Sequence, residues 1–383
     1  MNTVIHRKSF IPTQTLLVQI ALLLLIVWLI AETISLFVAN TSTRSSVLNF
    51  DFLHMSIGAG ISESLIPLDA TDTVARGILV GGLNTIMIAV LSCIIATVLG
   101  LLLCLLRLSS HPLVSVIAIG AINLVRNTPI LLQVLFWYAL MLKLPRVADA
   151  LSIGDSIFLS QRGLNIIWFD WQWSWWRGAL FLVVVIAPLY VWFKRSNTLG
   201  SLRTNLLARY AAHIVAIVLA LCFFALIFNI SADMPVKRGF NFSGGVSLSP
   251  ELTALLFGIS LYSSAFIAEA LRGGINAVSK GQWDAAYALG LPYRHTFKLI
   301  VLPQALRASM GSLINEYAGL IKSSSLAIVL GYPDLLWVLN TAIITYGREL
   351  EGALLILIGY LVPTFTGAWL LNYYNRHLMR WKN

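Results

Sequence analysis

Charge is scarce in this chain: only 11% of its 383 residues are Asp, Glu, Lys or Arg, while 58% are apolar. A soluble fold of that length needs a charged exterior, so an ordinary soluble architecture is excluded. The mean hydropathy of +0.83 points the same way. Cysteine is almost absent. Cys93, Cys104 and Cys222 fall inside apolar runs without Cys-x-x-Cys or Cys/His ligand spacing, so they read as small buried apolar residues. The six histidines form no His-x-x-x-His pair, so no metal site is expected. No Lys follows a Gly, and the Gly-Lys-Ser/Thr phosphate loop is therefore missing. There is no internal repeat of fixed period and no low-complexity linker.

Long apolar runs are what the chain does have. A helix crossing lipid needs about 20 mostly apolar residues, because backbone groups cannot stay unpaired in hydrocarbon. By that measure the pattern predicts an all-α, polytopic membrane protein with about eight spans. They run roughly Thr15 to Ala39, Gly77 to Leu106, within Ile117 to Leu142, Trp176 to Phe193, Ala211 to Ile230, Pro250 to Leu271, Ser309 to Leu330 and Leu354 to Tyr373. The first follows His6, Arg7 and Lys8 and is longer than a signal-peptide core, so it reads as an uncleaved anchor. Arg126, Asn127 and Pro129 interrupt the third, making the segment before Pro129 a candidate cytoplasmic-side helix.

The formal net charge of +10 would suggest nucleic acid in a soluble protein. Here no basic helix is interleaved with stacking aromatics, and the bilayer is the better partner for the excess charge. With the N-terminus inside and every span crossing, the inner loops hold Arg107, the Lys194 to Arg209 cluster, Arg272, Lys280, Arg294, Lys298, Arg307 and the tail Arg376, Arg380 and Lys382. The outer loops hold Glu63, Asp69, Asp72, Asp149, Asp155, Asp233, Asp334 and Glu351 with fewer basic residues. That bias predicts both termini on the cytoplasmic side. Trp168, Trp171, Trp173, Trp175 and Trp176 fit a headgroup-layer belt better than a ligand platform.

The segment from 271 to 303 is the informative one. Asp284-Ala285-Ala286 is followed by three residues, Gly290, nine residues, then Ile300-Val-Leu302-Pro303. Gln282 to Leu289 can form a short helix with small residues on it, and Gly290 is placed to end it in the left-handed conformation. A small-faced helix can enter a partner's groove closely. The segment resembles the EAA loop of bacterial ABC importer permeases, with Asp284 where that family usually has Glu. Arg126-Asn-Thr-Pro-Ile-Leu-Leu-Gln133, Ala265 to Ile275 and Leu320 to Ala327 resemble further signatures of the polar amino-acid permeases, with Asn127 replacing a usual Gly. The long chain and Gly347-Arg-Glu-Leu-Glu351 resemble the general L-amino acid branch.

The resemblance implies a type I permease core of five helices divided as 77–143 and 250–383, preceded by an anchor and outer loop (1–76) and interrupted by a Trp-rich insert with two extra helices (144–249). It implies a bacterial inner-membrane subunit of a binding-protein-dependent importer of L-amino acids, without covalent chemistry or cofactor of its own. ATP and Mg would be bound by a cytoplasmic ABC ATPase dimer, and the other partners would be a second homologous permease and a periplasmic amino-acid-binding protein. Gln282, Asp284, Ala285, Ala286, Gly290, Ile300, Leu302 and Pro303 would then form the ATPase-coupling loop. Polar residues in apolar runs are functional candidates by default, and Asn84, Arg126, Asn315, Glu316, Lys322, Ser323 and Ser324 are the candidates for a substrate pathway. The competing role for each is to hold helices together, Lys322 through Glu316 or a carbonyl, while Glu269 reads as an interfacially solvated carboxylate. An ion-coupled secondary transporter would be expected to show broken-helix repeats and paired intramembrane carboxylates, which the sequence lacks. A non-transporting scaffold would not need the loop's spacing.

Overall fold

The computed structural model describes residues 13–42, 48–61, 63–170, 174–181 and 231–380, with a few positions between 220 and 229. The longest helices are α1 (Thr13–Ser42), α2 (Val74–Arg107), α6 (Pro250–Asn276), α9 (Leu302–Ser323) and α12 (Glu349–Arg380). Shorter ones are α3 (Pro112–Asn127), α4 (Ile130–Leu142), α5 (Trp175–Phe181), α7 (Lys280–Ala288), α8 (Tyr293–Thr296), α10 (Ala327–Leu330) and α11 (Leu335–Tyr346). Local chemistry sets several of their ends. The Thr73 and Ser249 side chains accept the Arg76 and Leu252 amides at the starts of α2 and α6, and Pro250 occupies the first turn of α6.

Among the described residues three helices are long and apolar enough to cross a membrane: α2, α6 and the Glu349–Tyr373 part of α12. The number rises to five if each of two bent pairs counts as one span. The expected first span lies on α1, and the expected fourth and fifth fall largely outside the described residues. The first bent pair is α3 and α4, which meet at 104°. Thr128 is extended there, since Pro129 disfavours helix in the residue before it. The second joins Tyr293–Leu330 to α11 at 52°, across residues 331–334.

α2 and α6 run parallel. Asn84 and Ser249 both bond to Glu63 near one end, and Arg107 pairs with Glu269 at the other. α9 returns beside them, with Gly274 of α6 against Ala305 and Thr97 of α2 bonded to the Tyr317 hydroxyl at 2.9 Å. α12 runs back again, from Glu351 bonded to the Asn49 amide, past Tyr360 at Asp334, to Gly367 at Ile321. The main buried cluster, including Ile88, Val134, Leu255, Ile259, Leu313 and Leu320, lies between α2, α4, α6 and α9.

The chain is mostly helical, with one departure from the all-α expectation. Among its described residues the insert forms eight short strands: β1 (Leu151–Ile153), β2 (Ile157–Ser160), β3 (Gly163–Ile166), β4 (Trp168–Asp170), β5 (Ser231–Asp233), β6 (Val236–Arg238), β7 (Asn241–Ser243) and β8 (Val246–Leu248). β1-β2-β3-β8 form an antiparallel sheet, while β4-β5 and β6-β7 pair separately. One face of that sheet places Leu159 and Leu248 on the helical core, and the opposite face, where Phe158 and Asn165 are buried, sets Phe158 against Phe242 at 5.2 Å. Of the two extra helices expected here, only α5 and scattered positions are described.

Candidate functional site

The 280–303 segment has the architecture its sequence suggests. α7 ends in a Schellman turn: Gly290 sits at φ +73°, its amide bonds to the Tyr287 carbonyl at 2.9 Å, and the Leu291 amide bonds to the Ala286 carbonyl at 3.1 Å. Ala286 is buried, whereas Gln282, Asp284, Ala285 and Gly290 are exposed. Tyr287, Leu289 and Tyr293 are also exposed, Leu289 at 79%, so the segment presents an apolar and aromatic surface. A π-helical turn, Phe297–Val301, leads without a break into α9, whose second residue is Pro303. Ile300, Leu302 and Pro303 are half-buried.

Three contacts fix this segment to the long helices. Val278, Val301 and Ala305 form a small core with Trp283 and Phe297 packed on it. The Gln304 amide bonds to Gln282 Oε1 at 3.3 Å and to the Ile300 carbonyl at 3.0 Å. At its base, a Cβ on Gly274 would lie 2.3 Å from the Ala305 carbonyl oxygen, so only glycine permits that approach of α6 and α9. One turn earlier on α6, Glu269 pairs with Arg272 at 2.9 Å and with Arg107 at the end of α2. Glu269 is therefore an ion-paired clamp between two helices rather than the interfacially solvated residue expected. Sequence spacing alone could not show which Arg would reach it.

The seven pathway candidates separate. Asn84 is fully buried, and its amide nitrogen donates to the Pro333 carbonyl at 2.9 Å and the Glu63 carbonyl at 3.2 Å. It belongs to a buried polar cluster at the α10–α11 break. There the Leu335 amide donates to Thr85 Oγ1 at 3.1 Å, the Trp337 amide donates to Asp334 Oδ1 at 2.9 Å, and the Tyr360 hydroxyl donates to Asp334 Oδ2 at 2.7 Å. Ser324 is buried beside Tyr360 and donates to the Ile321 carbonyl at 2.7 Å. At the other end of the helices, Arg126 lies 5.2 Å over the Phe266 ring and near enough to Glu316 to interact electrostatically. Asn315 and Lys322 face outward and Ser323 is half-buried. Among the described residues Lys322 forms no ion pair with Glu316.

Residues 212–380 match the family described as binding-protein-dependent transport system inner membrane component. The chain is 37% identical to the putative amino-acid ABC transporter permease protein YhdX of Escherichia coli K12, over 95% of this chain and 92% of that protein. It belongs to the amino-acid ABC transporter permeases.

Two further relatives agree with that placement. The general L-amino acid transport system permease protein AapQ of Rhizobium johnstonii is 33% identical over 97% of this permease and 92% of its own length. BztB of Rhodobacter capsulatus, a glutamate/glutamine/aspartate/asparagine transport system permease, is 32% identical over 95% and 93%. Family membership makes the chain a membrane-embedded transport component with an ABC ATPase and a binding protein as partners, and it sets aside the ion-coupled secondary transporter.

Within this permease, sequence reasoning missed Asp334 as a structural centre and placed it in an outer loop. It is fully buried and caps α11. The signal was present, because Pro333-Asp334 directly before an apolar run is a helix-start pattern. Thr85 and Tyr360 had no comparable signal, since a lone hydroxyl in an apolar span does not reveal its partner.

Proposed function

We propose that this permease forms the translocation path of an ATP-driven importer of L-amino acids, with the 271–303 segment on the cytoplasmic side as its coupling loop. The observation that carries this reading is the Schellman-ended helix α7, which presents Asp284, Ala285, Leu289 and Gly290 outward while a small core and Gly274 fix it to α6 and α9. An ABC ATPase dimer would receive that surface, bind the ATP and Mg, and on closing move α7 as a rigid lever. The Arg107–Glu269–Arg272 clamp would carry the motion into α2 as well as α6. Permease residues bind, gate and transmit, and none needs to form a covalent bond.

In this orientation both termini are cytoplasmic, consistent with α12 running toward the loop end of the molecule. The end carrying Glu63 and the β insert then faces the periplasm, where an amino-acid-binding protein would deliver its cargo. A second, homologous permease chain would complete the path. The 77–143 and 250–383 segments form its core, 1–76 an anchor and outer loop, and 144–249 an accessory insert. Arg126, which lies over the Phe266 ring, and Glu316, within its electrostatic reach, are the pathway candidates for meeting a zwitterion. Asn84 and Ser324 serve the helix break instead. Substrate range is read by competing labelled L-glutamate uptake with a panel of L-amino acids in cells bearing the whole complex. Uptake that none of them competes would contradict the assignment, as would purification of the complex without an ATPase subunit.

A further inference from the structure

A polar cavity of about 700 Å³ opens at the end of the helices opposite the coupling loop. Segments far apart in sequence enclose it: Glu63 before α2, Gln161, Arg162, Asn241 and Ser247 of the insert, and Glu251 at the start of α6. Its size lies in the range of about 300–1,000 Å³ usual for small-molecule sites. Charges of both signs face this one space.

The carboxylates are positioned without being neutralised. Glu63 Oε1 accepts the Ser249 amide at 3.0 Å, and Glu251 Oε1 accepts the Tyr138 hydroxyl at 3.0 Å. Among the described residues neither carboxylate forms an ion pair, and neither does the exposed Arg162 guanidinium. Behind the wall, directly across the ladder from Ser247, Asn165 is fully buried with neither side-chain amide atom hydrogen-bonded. Asn165 does not itself line the cavity, so the charged wall residues define what the space can hold. The described residues contain no group of three or more His, Cys, Asp or Glu able to hold a metal ion. A ligand carrying both an ammonium and a carboxylate would satisfy all three charged groups together, which a simple cation or anion would not.

We propose that this cavity is an entry vestibule for a free zwitterionic L-α-amino acid, its carboxylate at Arg162 and its ammonium at Glu63 and Glu251. The inference rests on the reading of the permease as an amino-acid importer, and it gives the β insert a role, since four of the six wall residues named come from it. Glu63 also ties the vestibule to the interior, because its carbonyl shares the Asn84 amide with Pro333 at the α10–α11 break.

The test uses Ser247→Cys in a background with the three native cysteines replaced by alanine. The permease–ATPase complex is held in membrane vesicles, with the binding protein left out so that it cannot shield the introduced thiol. Labelling by a membrane-impermeant maleimide is timed with L-glutamate, L-glutamine, L-leucine or L-arginine at millimolar concentration. At least one amino acid that the complete complex imports should slow labelling about fivefold or more. Arg162→Gln and Glu251→Gln should each abolish that protection, read as the ratio of labelling rates with and without amino acid within each variant, and Arg162→Lys should retain part of it. Normal import with labelling never slowed, or protection equal in wild type and both variants, overturns the vestibule alone. Import of none of the four by the complete complex overturns the functional reading and the vestibule with it.

Discussion

Replacing Gly290 separates the backbone requirement of the 271–303 segment from the docking role proposed for it. Nothing lies within 4 Å of the position a Cβ would take, so Gly290→Ala introduces no clash. Its cost is that of holding an L-residue at φ +73°, about 1–2 kcal/mol. That shifts the turn's equilibrium roughly five- to thirtyfold. Asn and Asp tolerate the left-handed region better than Ala and resemble each other in size. Gly290→Asn should therefore lower ATP hydrolysis stimulated by binding protein and substrate less than Gly290→Ala does. Gly290→Asp should fall well below Gly290→Asn, since it alone adds a charge to the surface offered to the ATPase. The assay is stimulated ATPase activity of the reconstituted complex, normalised to permease in the membrane. Equal activity of the Asp and Asn variants would refute docking through this turn, and a wild-type Gly290→Ala would refute the backbone argument.

Other positions give independent checks. Asn84→Ala strands the Pro333 and Glu63 carbonyls and should cost about 1–3 kcal/mol, visible as a lower thermal midpoint; unchanged stability with impaired uptake would return Asn84 to the substrate pathway. Gly274→Ala forces a methyl onto the Ala305 backbone and should cost about 1–3 kcal/mol, so a midpoint equal to wild type would contradict the close packing there. Lys322→Met should reduce uptake while the ATPase subunits remain bound, and unaltered uptake would make Lys322 a structural residue. Burial raises the Glu63 carboxyl above its ordinary value, so its stabilising contribution is present in acid and lost as pH rises through the folded-state pKa. Glu63→Gln, permanently neutral and still able to accept the Ser249 amide, should raise the midpoint near neutral pH, with the gain closing toward about pH 4. A gain that widened toward acid would have the wrong sign.

The helical core and the helix and turn of the 280–290 segment were legible because their signals extend over many residues. α2 and α6 announce themselves by long apolar runs, and the loop by a small-residue helix with a glycine at its end and Ile-x-Leu-Pro beyond. The insert was not legible as sheet. Strands of three or four residues such as Leu151–Ile153 are too short for a two-residue period to stand out. Its tight turns depend on glycines at positive φ, among them Gly154, Gly163 and Gly239. The partner that holds the break before α11 was hidden for a different reason: the buried carboxylate Asp334 contacts residues 26 and 3 positions away, and no local pattern encodes the first of these. The clamp at Glu269 is likewise a product of packing between distant helices.

Mechanical coupling through the 271–303 segment to ATP hydrolysis on a separate subunit is what should drive amino-acid movement through this permease. Proteoliposomes carrying the permease pair and its ATPase, supplied with binding protein and labelled L-glutamate, test it most directly. Uptake should require ATP, persist when proton and sodium gradients are collapsed, and disappear with Gly290→Asp. Uptake driven by an ion gradient without the ATPase would contradict the account.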